Sequence, residues 1–317
     1  MEESTPIGGP TTDSVLSAFG APAPPAEPPA QAAQPEPQEG DPSRSPDPGW
    51  PAWTAAVALI GGLAFSLVAG LLLDVPAAMI FGVKITNENL PPGLSIADTV
   101  VQDIGFVLAA VYCAHLGGRA VRSWQFGLRR PGAGWPRAVA MICVLLFAFL
   151  VLSVAWSAIF HPEEETLLKS LGSNEGTALL LLSAALTCVV APICEEFLFR
   201  GFIFTALRSW QGTWPAALLT GLLFGGVHVG SAPALDLVPL AGLGFGLCLL
   251  YRYSGSLYPC MIAHSLNNSV AFASLEGWGW QTAALIAGSL LGIGALVLLF
   301  KRVGLIAPSR SLARVGE

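Results

Sequence analysis

Residues 177–200 read TALLLLSAALTCVVAPICEEFLFR, and this stretch decides the class of fold. From Thr177 to Cys194 it carries no charged side chain, close to the roughly 20 apolar residues that a helix needs to cross a bilayer core. It then closes on Glu195, Glu196 and Arg200. Ionisable side chains at membrane depth cost roughly 2.5–3.5 kcal/mol each on insertion scales, so they mark work rather than filler.

The rest of the chain repeats the apolar theme. Of its 317 residues, 53% are hydrophobic and only 11% are charged, whereas a soluble domain carries roughly 25% charged residues. That is too little charge to cover a surface facing water. Apolar runs at Trp53–Leu73, Thr99–His115, Ala138–Phe160, Thr177–Leu198, Trp214–Val229, Leu235–Tyr251, Leu257–Ala273 and Thr282–Phe300 predict an all-α fold, a polytopic transmembrane bundle of about eight spans. Thr99–His115 is the weakest of these, because Gln102 and Asp103 interrupt it.

Charge placement supports keeping that span. With eight spans, one side receives Arg44, then Arg119, Arg122, Arg129, Arg130 and Arg137, then Arg200, Arg208 and Arg252, then Lys301, Arg302, Arg310 and Arg314. The other side receives Lys84 and Lys169 alone. The positive-inside rule then puts both termini in the cytoplasm.

Residues 1–50 differ from the rest. They hold 12 of the 25 prolines and eight acidic residues against a single Arg44, so nearly all of the net charge of −6 lies here. Such a segment cannot bury enough apolar surface to offset its ordering entropy, which predicts a disordered Pro/Ala-rich acidic tail. The bundle follows over 51–303 and a short tail over 304–317. No basic stripe suggests nucleic acid. The six cysteines fall in apolar segments without paired spacing and read as buried free thiols.

Three polar clusters stand out in the second half. Glu196 and Arg200 are four apart and neighbours on one helix face, which suits a charge-neutralising pair. Glu195 points about 100° away and lacks a local partner, as a general base would, though both glutamates could equally cap a span at the interface. Phe224 and His228 lie one turn apart, above Gly221 and Gly225, whose spacing lets another helix approach closely. His264 and Asn268 are again four apart and converge on one face. A lone helical histidine is more often a packing residue than a catalyst, and His264 and Asn268 could simply satisfy each other. Together the clusters ask for more, in a chain otherwise nearly free of intramembrane charge. His115 and His161 fit no such arrangement and read as end-of-helix and loop residues, and Glu163–Glu165 as a solvated external turn.

In order and spacing these clusters resemble the motifs of the CPBP family of CAAX proteases and bacteriocin-processing enzymes: Glu-Glu-x-x-x-Arg, then Phe-x-x-x-His, then His-x-x-x-Asn. The resemblance runs over about 177–273 and includes Ser254-Gly255-Ser256-Leu257, which leads into the His264 helix. It implies an eight-helix core and peptide-bond hydrolysis in a membrane cavity, with a membrane protein or peptide as substrate. Glu195, Glu196, His228, His264 and Asn268 are then the candidate catalytic residues, supported by Arg200 and Phe224. Two mechanisms stay open. In one, Glu195 and His228 activate water while His264 and Asn268 stabilise the oxyanion. In the other, Glu195 or Glu196 with His228 and His264 holds one zinc ion. The absence of an H-E-x-x-H helix favours the metal-free version.

Rival readings are a serine protease using Ser256 or Ser265, a catalytically silent immunity or scaffold protein of the same fold, and a transporter. The last would show repeated halves, and none is found. The composition, rich in Ala, Gly, Pro and Arg, suggests a bacterial inner membrane as the home of this multi-pass chain.

Overall fold

The computed structural model describes residues 1, 46–82, 91–116, 120–161 and 176–306. Most of the acidic tail, the Glu163–Glu165 turn, Lys84, Lys169, Arg119 and the last eleven residues lie outside these.

Glycine and proline punctuate the bundle. Helix α1 spans Trp53–Phe81 and stops at Gly82, whose φ of 65° few other residues adopt. Helix α2, Pro92–His115, opens on a proline at its first position, where no intrahelical N–H is needed. Helix α3 is Trp135–Phe160. Helix α4 runs without a break from Thr177 to Gln211, 35 residues. Gly212, at φ 78°, separates it from α5, Thr213–Gly226. Then come α6, Leu237–Ser254, α7, Tyr258–Leu275, and α8, Gln281–Arg302. The described residues thus form an all-α bundle of eight helices, and six are long and apolar enough to cross a membrane.

The two that fall short depart from the predicted spans for different reasons. Helix α5 ends at Gly225-Gly226, so it has 14 residues rather than reaching Val229. Helix α7 has the length, with 18 residues, but carries His264, Ser265, Asn267 and Asn268. Thr99–His115 is confirmed as part of a longer helix.

Large apolar side chains on the outer helices point away from the protein: Leu72, Phe147 and Leu291 are each about 70% exposed. So much unpaired apolar surface has no home in water and fits lipid. The chain is an integral membrane protein. Of the cysteines, Cys143 is among these outward residues and Cys194 is partly covered, so only four of the six are buried as expected.

Helix α4 sits in the middle. Leu198, Phe199, Arg200, Phe202, Ile203 and Phe204 are all fully buried, packed against α1, α2, α5 and α6. Arg200 therefore does not belong to a cytoplasmic loop, as the charge count has it, because its helix continues for eleven more residues. Trp50, assigned by sequence to the tail, packs its ring 4.8 Å from Phe202 and 4.9 Å from Phe126.

Helices α5 and α6 meet through glycine. A methyl group on Gly225 would lie 2.5 Å from the Leu237 carbonyl oxygen, and one on Gly221 would lie 2.7 Å from that of Ala241. This is the close approach that the small-residue spacing predicts.

Candidate active site

Helix α4 changes its winding on both sides of the glutamates. Residues Leu186–Val190 and Phe197–Phe204 are π-helical, with α-helical Ala191–Glu196 between them. The first change has a cause in sequence. The Ala191 N–H bonds five residues back to the Leu186 carbonyl, and Pro192 has no N–H to give. Thr187 and Cys188 thereby lose their ordinary donors four residues ahead. Buried carbonyls left so are costly, and helix α7 supplies the replacements. Asn268 Nδ2 donates to the Thr187 carbonyl at 2.9 Å, and Ser265 Oγ to that of Cys188 at 2.6 Å. One proline in α4 thus fixes the register of the helix that carries His264.

Behind the site lies a dry layer. Arg200 donates to Glu196 Oε1 at 2.8 Å and to the Gly244 carbonyl at 3.1 Å, with both side chains fully buried. Its guanidinium stacks 4.4 Å from the centre of the Phe224 ring. The expected Glu196–Arg200 pair is present. It also holds a third member, because His264 Nδ1 donates to the same Glu196 oxygen at 2.8 Å. Glu196 therefore orients an imidazole and does not face open space.

In front lies a cavity of about 510 Å³, lined by Glu195, His228, His264 and Asn268 among others. Glu195 is 9% exposed, and its Oε2 lies 3.9 Å from His264 Nε2. Adjacent glutamates thus reach His264 at its two ring nitrogens from mid-helix, one at the cavity and one in the buried layer, and the interfacial-cap alternative does not hold. His228 sits just beyond the end of α5, in a turn rather than on the helix. Its Nδ1–H caps that helix by donating to the Phe224 carbonyl at 2.7 Å. Both imidazole rings also contact Phe224, with centroids 5.0 and 5.6 Å away.

The tautomers follow from these bonds. Each histidine uses Nδ1–H as a donor, so when neutral each keeps a lone pair on Nε2. His264 can donate from Nε2 only as an imidazolium, which Glu195 and Glu196 flank. Asn268 spends one amide N–H on Thr187 and keeps its second. His264 and Asn268 both line the cavity, each bonded to a different part of α4.

Glu195, His228 and His264 are a donor set whose chemistry would suit zinc. Among the described residues, however, no three His, Cys, Asp or Glu groups come together in an arrangement that could hold a metal ion. Glu196 is committed to Arg200 and His264. The serine alternative fares worse, because Ser265 is bonded to Cys188 and Ser256 donates to the Arg129 carbonyl, both outside the cavity wall.

Several wall residues are unassigned by sequence reasoning. Thr99 and Gln102 of α2 line the cavity, and Asp236 lines it from the turn before α6. Asp103 lies behind them, within electrostatic reach of Glu195 and with no hydrogen-bond partner on either oxygen among the described residues. The signal was present as the polar interruption in Thr99–His115, which reads there only as a flaw in hydropathy.

A helical membrane bundle enclosing a carboxylate, two imidazoles and an amide defines the class of this molecule: a polytopic membrane protein with a polar internal cavity. Residues 177–270 match the family model described as "Type II CAAX prenyl endopeptidase Rce1-like". All the residues of the three clusters lie inside that match. Among curated proteins, "Putative membrane peptidase YdiL" of Bacillus subtilis strain 168 is 31% identical over 96 residues, 30% of this chain and 38% of that one. An "Uncharacterized protein" of Mycoplasma capricolum subsp. capricolum is 29% identical over 93 residues, 29% of this chain and 27% of that one. The matched segment thus spans well under half of either relative. No solved structure matches the chain.

Proposed function

We propose that this protein is an intramembrane endopeptidase of the CAAX-protease type, hydrolysing a peptide bond of a membrane-associated protein or peptide. The observation that carries the reading is the shared cavity: Glu195, His228, and His264 with Asn268, from three separate segments, line one space while Glu196 and Arg200 stay sealed behind Phe224. The match to the CAAX endopeptidase model over 177–270 supports it.

Water enters between Glu195 and His228. Glu195 takes a proton from it as the oxygen attacks the scissile carbonyl, and the His228 Nε2 lone pair orients the attacking water. The oxyanion is met by the free N–H of Asn268 and by His264 in its imidazolium form, held by Glu196. The C–N bond then breaks, and the proton on Glu195 passes to the departing amine. A positioned base supplies about 10²–10⁴-fold, and a preorganised oxyanion donor about 10²–10³-fold.

The test is cleavage of a membrane peptide substrate by purified protein carrying Glu195→Ala or His228→Ala. Both variants are expected to insert normally and to be inactive. Unchanged processing by either would remove the protease reading and favour a silent scaffold or immunity protein. Activity after exhaustive chelation, with metal analysis of the same sample, decides whether a divalent ion is needed. We place the chain in a bacterial inner membrane with both termini cytoplasmic, which reporter fusions at each terminus would check.

A further inference from the structure

One hydroxyl on the cavity wall is left with nothing to bond. Ser153 of α3 lines the cavity, and its Oγ is buried with no hydrogen-bond partner among the described residues. Hydroxyls elsewhere in the bundle are spent locally: Ser66 Oγ donates to the Gly62 carbonyl, one turn earlier on α1, at 2.8 Å. Thr99 and Ser231, on the same wall as Ser153, donate to the Ser95 and His228 carbonyls at 2.8 and 3.1 Å. The other orphaned hydroxyl, Thr220, lies off the wall beside the Cys248 thiol. Buried polar groups are nearly always paired, so an unspent one at a cavity is a place for a ligand.

The neighbours of Ser153 say what kind of ligand. Phe149 and Ser157, one turn to either side, line the cavity too, so a single stripe of α3 forms this part of the wall. Trp156 Nε1 donates to the Leu235 carbonyl at 2.8 Å, which ties the rotation of that stripe to the turn between α5 and α6. Hydroxyls four residues apart on a helix are about 6 Å apart along its axis. Groups on one edge of an extended peptide recur every two residues, at about 6.6 Å. The two spacings match. A cavity of about 510 Å³ is roughly 10 Å across if taken as a sphere, which is the reach of three extended residues. A strand lying on this stripe therefore passes within reach of Glu195 and His228 on the same wall.

Resting on the protease reading above, we propose that Ser153 and Ser157 form a rail that holds the substrate's main chain extended beside the catalytic groups. Ser153 bonds one peptide group of the strand, and Ser157 bonds the group two residues on. The rail reads backbone rather than side chains.

The test uses a dansyl-labelled hexapeptide of alternating Ala and Leu, made plain and with every peptide nitrogen methylated, so that the second form presents no backbone N–H. Each is titrated into the full-length protein in neutral micelles, with binding to protein-free micelles subtracted. Ser153→Ala should weaken binding of the plain peptide by about 5-fold, the size of one neutral hydrogen bond exchanged with water. Ser157→Ala, at a more exposed position, should weaken it by about 2-fold. Ser153→Thr keeps the hydroxyl and should restore the affinity. With the methylated peptide the wild type and Ser153→Ala should be alike, a convergence that a merely structural serine would not produce. Equal affinity of wild type and Ser153→Ala for the plain peptide would overturn the proposal, as would a wild type that binds the plain form no better than the methylated one. Mass spectrometry of the same mixtures separates the two readings. Binding that depends on Ser153, with no cutting of the peptide, sinks the hydrolase and leaves the rail standing. Cutting by wild type and Ser153→Ala at the same rate and with the same affinity does the reverse.

Discussion

Glu195 and Glu196 are neighbours in sequence and live in different worlds. Glu196 has no exposure, shares one oxygen between Arg200 and His264, and sits in a layer closed by aromatic rings. Glu195 looks into the cavity, where its Oε2 accepts no hydrogen bond from the described residues. The difference teaches that the same residue type is spent on architecture on one side of a helix and left uncommitted on the other. The dry layer sets geometry; the cavity layer is free for chemistry.

That contrast can be broken in graded ways. The largest effect belongs to Glu195→Ala, which should cost about 10²–10⁴-fold in kcat while leaving thermal stability of the micellar protein unchanged. A large fall in Tm would place Glu195 with its neighbour instead. Next comes Arg200→Leu, which strands a buried carboxylate and should destabilise the bundle by about 3–5 kcal/mol, read as lost folded yield. Pairing it with Glu196→Gln should recover part of that loss. A folded but inactive Arg200→Leu protein would reverse the division of labour drawn here. Asn268→Ala should lower kcat by about 10²-fold with KM little changed, and a pure KM effect would refute its oxyanion role. The smallest effect is Ser265→Ala, which leaves the Cys188 carbonyl unpaired at about 1–3 kcal/mol. Restoring a backbone donor with Pro192→Ala should shrink that cost, and strict additivity of the two would show that they do not communicate.

Much of this was legible in the sequence. Hydropathy gave the helices, and the i, i+4 pairs gave both the Glu196–Arg200 contact and the identity of the cavity groups, because helical neighbours are a local property. What escaped reading depended on departures from the ordinary helix or on distant contacts. Two π-helical stretches cannot be counted from apolar residues, so the run from Thr177 reads as ending at Leu198 when it continues to Gln211. His228 reads as helical because a pair of glycines does not by itself say which one ends the helix. Asp236 sits outside every motif, and its place in the wall comes from the turn that leads into α6. The link from Pro192 through Ser265 to the pose of His264 joins residues more than seventy positions apart, beyond any spacing rule.

One feature of α5 reaches past the protein itself. At 14 residues it rises only about 21 Å, well short of the roughly 30 Å of a bilayer's hydrocarbon core. His228 lies where that helix gives out. A short hydrophobic stretch is accommodated by local thinning of the bilayer, which would bring the aqueous phase nearer to the cavity. Acyl-chain length then becomes a dial on hydration of the site, set by the membrane the protein is placed in.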